Sequence, residues 1–264
     1  MISSELEIAL LVLAFYASTC AVLVFANEGV LARASQGLRL RVADDRIRIV
    51  GRSPIWLNPF TPMFPAFRVQ WGNADAIAAS PGLPSPVAEA MRASEVLTPY
   101  VFAVFLYAII GIPLALLWGG GVRALPIVAL AYLAAVVMLV RLWFLRDAFS
   151  LSRGKFALLA FESLVCLPFS AGVVRRLSLL VPVREDLASF TVDMRAVARA
   201  RALATLVEHC DEMAGFHPES SAEHTRLMRY RARLALLTGA SPAGTASADT
   251  ADHPGEIEKV DGRK

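Results

Sequence analysis

The chain has 264 residues, 56% of them hydrophobic, with a mean hydropathy of +0.54 and a formal net charge of +3. That average is too apolar for an ordinary soluble domain, and the apolar residues are clumped, which points to membrane spans. The three cysteines, Cys20, Cys166 and Cys210, are widely spaced, form no CxxC pair and exclude a disulfide framework.

The first predicted element is a transmembrane helix over 6–26. Its leading residues, Met1 to Glu7, are acidic and lack Lys and Arg, whereas a cleavable signal needs a basic n-region. An uncleaved anchor is therefore expected. A loop domain follows over 27–95. Leu38-Arg39-Leu40-Arg41-Val42 and Arg46-Ile47-Arg48-Ile49-Val50 both alternate apolar with basic. Period two puts the arginines on one strand face and the aliphatic residues on the other. With Ala43-Asp44-Asp45 as the turn, the two runs predict a β-hairpin. Four prolines between Pro54 and Pro65 then forbid a regular helix, yet the stretch is rich in aromatics and leads to Trp71. Two settings suit those rings, the headgroup level of a membrane or the core of the loop domain.

The longest apolar stretches lie over 98–118 and 124–144, joined by Trp118-Gly119-Gly120-Gly121-Val122-Arg123. About 20 apolar residues cover a hydrocarbon core of ~30 Å, so these predict a transmembrane helical hairpin. The segment 156–181 is shorter in its apolar runs. Glu162 interrupts it, Pro168 sits inside it, and Arg175-Arg176 close it. It fits a re-entrant or interfacial segment better than a full span. Leu187, Phe190, Met194 and Val197 then keep helical spacing, and Ser220-Ser221-Ala222-Glu223 resembles a capping box before a second helix. The stretch 183–238 is thus expected to form a cytoplasmic helical hairpin, and 239–264, small and polar, a disordered tail.

Basic residues set the orientation. Three spans with the N-terminus outside leave Arg123 as the sole Lys or Arg on the outer side. A fourth span over 156–181, or an inverted orientation, would export many arginines. The positive-inside rule selects the first arrangement. The expected fold class is mainly α: an integral membrane protein with three transmembrane helices (four as the alternative), a small β-hairpin loop domain and a cytoplasmic helical hairpin. The expected location is a bacterial-type inner membrane with the C-terminus in the cytoplasm.

Candidate chemistry is sparse. Arg39, Arg41, Arg46, Arg48, Arg175 and Arg176 lie close to membrane segments, where basic clusters attract anionic lipid. Membrane lipids are therefore expected partners, together with a membrane or cytoplasmic protein; nucleic acid is not. Glu162 and Cys166 share a helix face at i, i+4, and a carboxylate with a thiol suits acyl or lipid chemistry. The competing reading pairs Glu162 with a nearby arginine, Arg153 or Arg175. His209, His217 and His224 match no metal-ligand spacing, and no G-x-S-x-G, P-loop, dinucleotide or HExxH motif occurs. No metal or cofactor is assigned. The expected function is a non-enzymatic anchor, accessory or assembly subunit; the alternative is a small membrane enzyme acting on a lipid-linked substrate through Glu162.

Overall fold

A computed structural model describes residues 4–34, 37–42, 52–77 and 83–238. It is mostly helical, with two small antiparallel sheets.

The first helix, α1 (Ser4–Thr19), is apolar on nearly every side. Ile8, Leu10, Leu11, Leu13 and Phe15 are exposed, while Ala9 and Tyr16 are buried against the rest of the chain. At 1.5 Å per residue it is about 24 Å long, so the expected span over 6–26 is too long. The chain leaves the helix at Thr19 because Ala21-Val22-Leu23-Val24 finds a strand partner. This β1 (Ala21–Val24) pairs antiparallel with β4 (Ser53–Trp56), Ala21 opposite Trp56 and Val24 opposite Ser53. Val22 and Val24 join Val30, Ile55, Leu57 and Ala66 in a small separate core. Hydropathy alone does not distinguish such a buried strand from the end of a span.

The second sheet has the order β3-β2-β5, formed by β2 (Glu28–Ala34), β3 (Gly37–Val42) and β5 (Ala66–Gln70). The alternating run at Leu38–Val42 is a strand, and among the described residues it pairs with β2, with Gly29 opposite Val42 and Ala34 opposite Gly37. β2 is thus one neighbour of β3 among the described residues, and it precedes that strand in the chain. The run containing Arg46 and Arg48 lies outside the described residues. Gly37 takes φ +117°, a conformation open to glycine, where the hairpin turns. Aromatics of the proline-rich stretch divide between buried and exposed positions. Phe67 and Trp71 are buried in the main core, whereas Trp56 is 59% and Phe60 77% exposed.

A long helical passage follows: α2 (Ser85–Val104), a π-helical segment Phe105–Gly111, and α3 (Ile112–Leu145). The π segment stands directly before Pro113, which lacks an N–H and crowds the preceding turn; widening the helix there accommodates it. The chain doubles back within this passage. A Cβ on Gly111 would lie 2.9 Å from Ile127 Cγ2, so this glycine marks a close crossing of the two arms. Ala108, Ala131 and Ala135 are also buried there, and small residues let helices approach. Two stretches, Ser85–Trp118 and Val122–Phe149, are long and apolar enough to cross a membrane. Only 39% and 28% of their most hydropathic windows are buried.

The segment after the hairpin is broken. It comprises α4 (Arg153–Val165), α5 (Leu167–Ala171) and α6 (Val173–Ser178). The first break is at Cys166, just before Leu167-Pro168, and the second is at Gly172. A Cβ on Gly172 would lie 3.1 Å from Thr19 Oγ1, so the end of α1 seats on the α5–α6 junction.

The polar end of the chain is an antiparallel pair, α7 (Ala196–Gly215) and α8 (Ala222–Leu237), closed on Leu203, Leu206, Cys210, Leu227, Tyr230 and Leu234. Ser221 caps α8, its hydroxyl accepting from the His224 N–H at 3.1 Å. Buried Asp186 ties the pair to the sheet domain. Its carboxylate accepts from Tyr230 Oη at 2.6 Å, from the Ala188 N–H at 2.9 Å and from the Asn73 N–H at 3.0 Å. Burial raises the Asp186 pKa above the ordinary carboxylate value, and the Tyr230 hydrogen bond opposes that rise. Tyr230→Phe removes one hydrogen bond to a charged group and should destabilise the chain by about 1.5–3 kcal/mol, read by denaturant unfolding in detergent. The pH dependence has a definite sign. A carboxyl whose folded pKa is raised contributes stability that is complete below its unfolded pKa and lost as pH rises through the folded value. The stability difference between wild type and Asp186→Asn should therefore shrink as pH rises across that interval.

Candidate functional site

The site grows out of α6. Two adjacent arginines on a helix point about 100° apart, so one can enter the fold while its neighbour leaves it. Arg175 enters, only 3% exposed. Its Nη2 donates to the carbonyls of Asn58, in a short contact, and Thr61 at 2.7 Å; its Nη1 donates to Cys20 Sγ at 3.4 Å. One guanidinium thus joins the end of α1, the loop 57–65 and α6. The neighbouring Ser178 of α6 accepts from the Ala66 N–H at 2.9 Å, tying the same helix to β5. Tyr16 of α1 also donates to the loop, at the Pro59 carbonyl.

Arg175 lacks a carboxylate partner among the described residues. Neutral acceptors alone leave a buried cation at a cost that a nearby anion would relieve. It lines a cavity of about 430 Å³ whose other walls include Arg33, Arg39, Arg41, Asn58, Thr61 and Phe64. Among the described residues no Asp or Glu lines this cavity. Arg39 and Arg41 are exposed residues two apart on β3 and so share one face of the strand. The Arg41 guanidinium donates to the Trp56 carbonyl on β4. Arg33 is held at the rim by an ion pair with Glu95 of α2, 2.6 Å apart. Arg39 and Arg41 also line a second cavity, of about 660 Å³, between β3 and α7, where Arg195 and Arg201 add further positive charge.

Of the arginines singled out in the sequence, Arg39, Arg41 and Arg175 come together. Arg176 does not join them. It turns to α4, where it pairs with Glu162 and lies over the Phe169 ring, 5.7 Å from its centroid. Arg46 and Arg48 lie outside the described residues. The Glu162 partner is therefore Arg176, in place of Arg153 or Arg175. Cys166 sits half-buried at the α4–α5 break. Ser163 and Ser170 are buried beside these helices, the Ser170 hydroxyl donating to the Ser163 carbonyl at 2.7 Å. No base is within hydrogen-bonding distance of Cys166 among the described side chains, so a nucleophile–base pair of the kind covalent catalysis needs is not assembled there.

The histidines have separate settings. His209 packs edge-on to Trp71, with centroids 6.0 Å apart, and His224 Nδ1 lies 3.2 Å from the Ala214 carbonyl. Burial, followed by the nearby Asp211 charge, pushes the Cys210 thiol up to about 11. It is a neutral thiol at neutral pH rather than a reactive thiolate.

Arg33, Cys20 and the carbonyls of Asn58 and Thr61 are site components that sequence reasoning missed. Asn58-Pro59 does signal a turn, but nothing in the order of residues ties that turn to Arg175, more than a hundred positions away. No known protein family, curated protein or solved structure matches the chain.

Glu162→Gln tests the assignment of that carboxylate. Both partners of the Glu162–Arg176 pair are about a third exposed, so water screens the interaction. The substitution should cost no more than about 1 kcal/mol by denaturant unfolding in detergent; a loss of several times that would contradict a screened surface pair.

Proposed function

We propose that the chain is a membrane-anchored accessory or assembly subunit of a bacterial-type inner membrane. Its polar half engages anionic lipid and a partner protein at the cytoplasmic face. The observation that carries this reading is the contrast between the two halves. Ile8, Leu11, Phe102, Ile110, Leu117, Leu125, Leu133, Val137 and Val140 are exposed together along α1 and the helical hairpin. A contiguous apolar surface of that extent needs a lipid or protein covering. The sheets, α7 and α8 carry ten of the 23 arginines, whereas α1, α2 and α3 together carry three.

In this reading the N-terminus is outside, the tip with Arg123 is the outer loop, and the C-terminus is cytoplasmic. The length of α1 suits a third, short span, accommodated by local thinning of the bilayer. Aromatic and cationic residues mark the inner boundary: Arg146 lies over Trp143 at 4.3 Å and Arg141 over Tyr100 at 6.0 Å. Long arginines at such positions extend toward the headgroups. The broken segment α4–α6, with exposed Leu158, Phe161 and Val165, lies in the inner leaflet rather than crossing it.

The enzymatic alternative through Glu162 has less support, because that carboxylate is engaged by Arg176 and no second catalytic group faces it among the described residues.

Alkaline phosphatase fusions test the topology. Fusion after Gly120 should be active on the outer side and fusion after Thr238 inactive, with both proteins recovered in the membrane fraction. An active fusion after Thr238, or recovery of the chain in the soluble fraction, would overturn the reading.

A further inference from the structure

We infer that the cavity walled by Arg39, Arg41 and Arg175 is a binding site for a phosphate group, such as the headgroup of an anionic phospholipid. The inference rests on the membrane reading above but goes beyond it. A generally basic surface attracts anions diffusely, whereas this cavity is a built concave site with one charge fixed inside it.

Three independent features point the same way. The first is charge. Arg175 is buried and pinned by two carbonyls and a thiol, and among the described residues it has no carboxylate partner and the cavity lining has no acid. A group carrying negative charge and several acceptor oxygens would supply the missing counter-charge, and arginine forks match phosphate oxygens. The second is shape. The cavity of about 430 Å³ is large enough for a headgroup phosphate with part of its glycerol. Its two exposed arginines come from one strand face, so both can reach a single ligand. The third is location. The wall formed by loop 57–65 rests on Tyr16 near the end of the apolar helix α1. That loop carries Phe60, 77% exposed, and follows Trp56, 59% exposed. Exposed aromatic rings beside the end of a lipid-facing helix suit the headgroup level. The cavity would then open where phospholipid phosphates lie, with Phe60 among the upper acyl chains.

The same chemistry would accept soluble phosphate, so the test separates the two sources. The full-length chain is placed in nanodiscs of phosphatidylcholine containing phosphatidic acid, and in phosphatidylcholine nanodiscs with added inorganic phosphate. Native mass spectrometry then reads what stays bound after release. The wild type should retain one phosphatidic acid per chain. The exposed pair Arg39→Gln/Arg41→Gln avoids the folding role of Arg175 and should lower retention by about tenfold, the loss of two arginine–phosphate contacts. Arg229→Gln/Arg233→Gln on exposed positions of α8 should leave retention unchanged. Retention of inorganic phosphate but not phosphatidic acid, lost in the β3 pair, would support the phosphate site and assign it a soluble ligand. No retained phosphate of either kind, or an equal loss in the α8 pair, would overturn the inference. A chain that enters nanodiscs yet retains nothing refutes only this site. A chain that stays in solution without lipid or detergent refutes the membrane reading itself.

Discussion

The contact on which the lower half of the molecule depends is the Arg175 guanidinium inside its cage of neutral acceptors. It is the meeting point of four parts of the chain that are far apart in sequence: the end of α1, the proline-rich loop, β5 through the adjacent Ser178, and α6 itself. Loop 57–65 has little regular structure, because its prolines remove backbone donors and forbid a ladder. Its carbonyls therefore need donors from elsewhere, and a buried guanidinium with several N–H groups can satisfy two of them at once. The cost is a positive charge taken out of water. That cost explains why the basic cavity beside it is more than an accident of composition: the charge that organises the loop is also the charge that an anion would neutralise.

Two different kinds of packing meet at this point. Above it, α1 and the two arms of the helical hairpin touch through alanines, glycines and a few large side chains, leaving much of their apolar surface outward. Below it, the sheets, the 3-10 turn Leu187–Asp193 and the α7–α8 pair fully enclose Phe67, Phe190, Leu206 and Tyr230. Gly172 lets Thr19 approach the break between α5 and α6, and Gly29 leaves room for Leu187, whose Cδ2 would lie 2.6 Å from an added Cβ. The broken helices α4 to α6 serve as the plate on which the apolar half is mounted. Asp186 and Tyr230 perform the corresponding task for α8, by hydrogen bonding in a dry interior where an unpaired partner would be expensive.

The sequence was most legible where a single local property decides the outcome. The hairpin near its glycine-rich turn follows from hydropathy and length. The strand at Leu38–Val42 follows from alternation, and the breaks around Pro168 from a missing N–H. Legibility failed where the decision is non-local. Val22 and Val24 read equally well as the end of a span or as a buried strand, and only the presence of Ser53–Trp56 opposite them decides. Alternation established that Arg39 and Arg41 share a face, but nothing local announced that β2 would lie beside their strand. Arg175 and Arg176 are indistinguishable neighbours in the sequence, yet one is a buried clamp and the other a half-exposed partner of Glu162. Their difference comes from the rotation of α6 against α1 and the loop, which no local pattern encodes.

The clamp itself can be examined through the thiol it covers. Cys20 is buried under Arg175, and Cys210 is buried in the separate α7–α8 core, so the second serves as a control for global unfolding. Maleimide labelling of the purified Arg175→Met chain, mapped by mass spectrometry, should modify Cys20 while Cys210 stays protected, because the loop 57–65 loses its donors and lifts away. If Cys20 in that variant remains as protected as Cys210, the guanidinium is not what holds the loop against the end of α1, and the account of this structure around Arg175 is wrong.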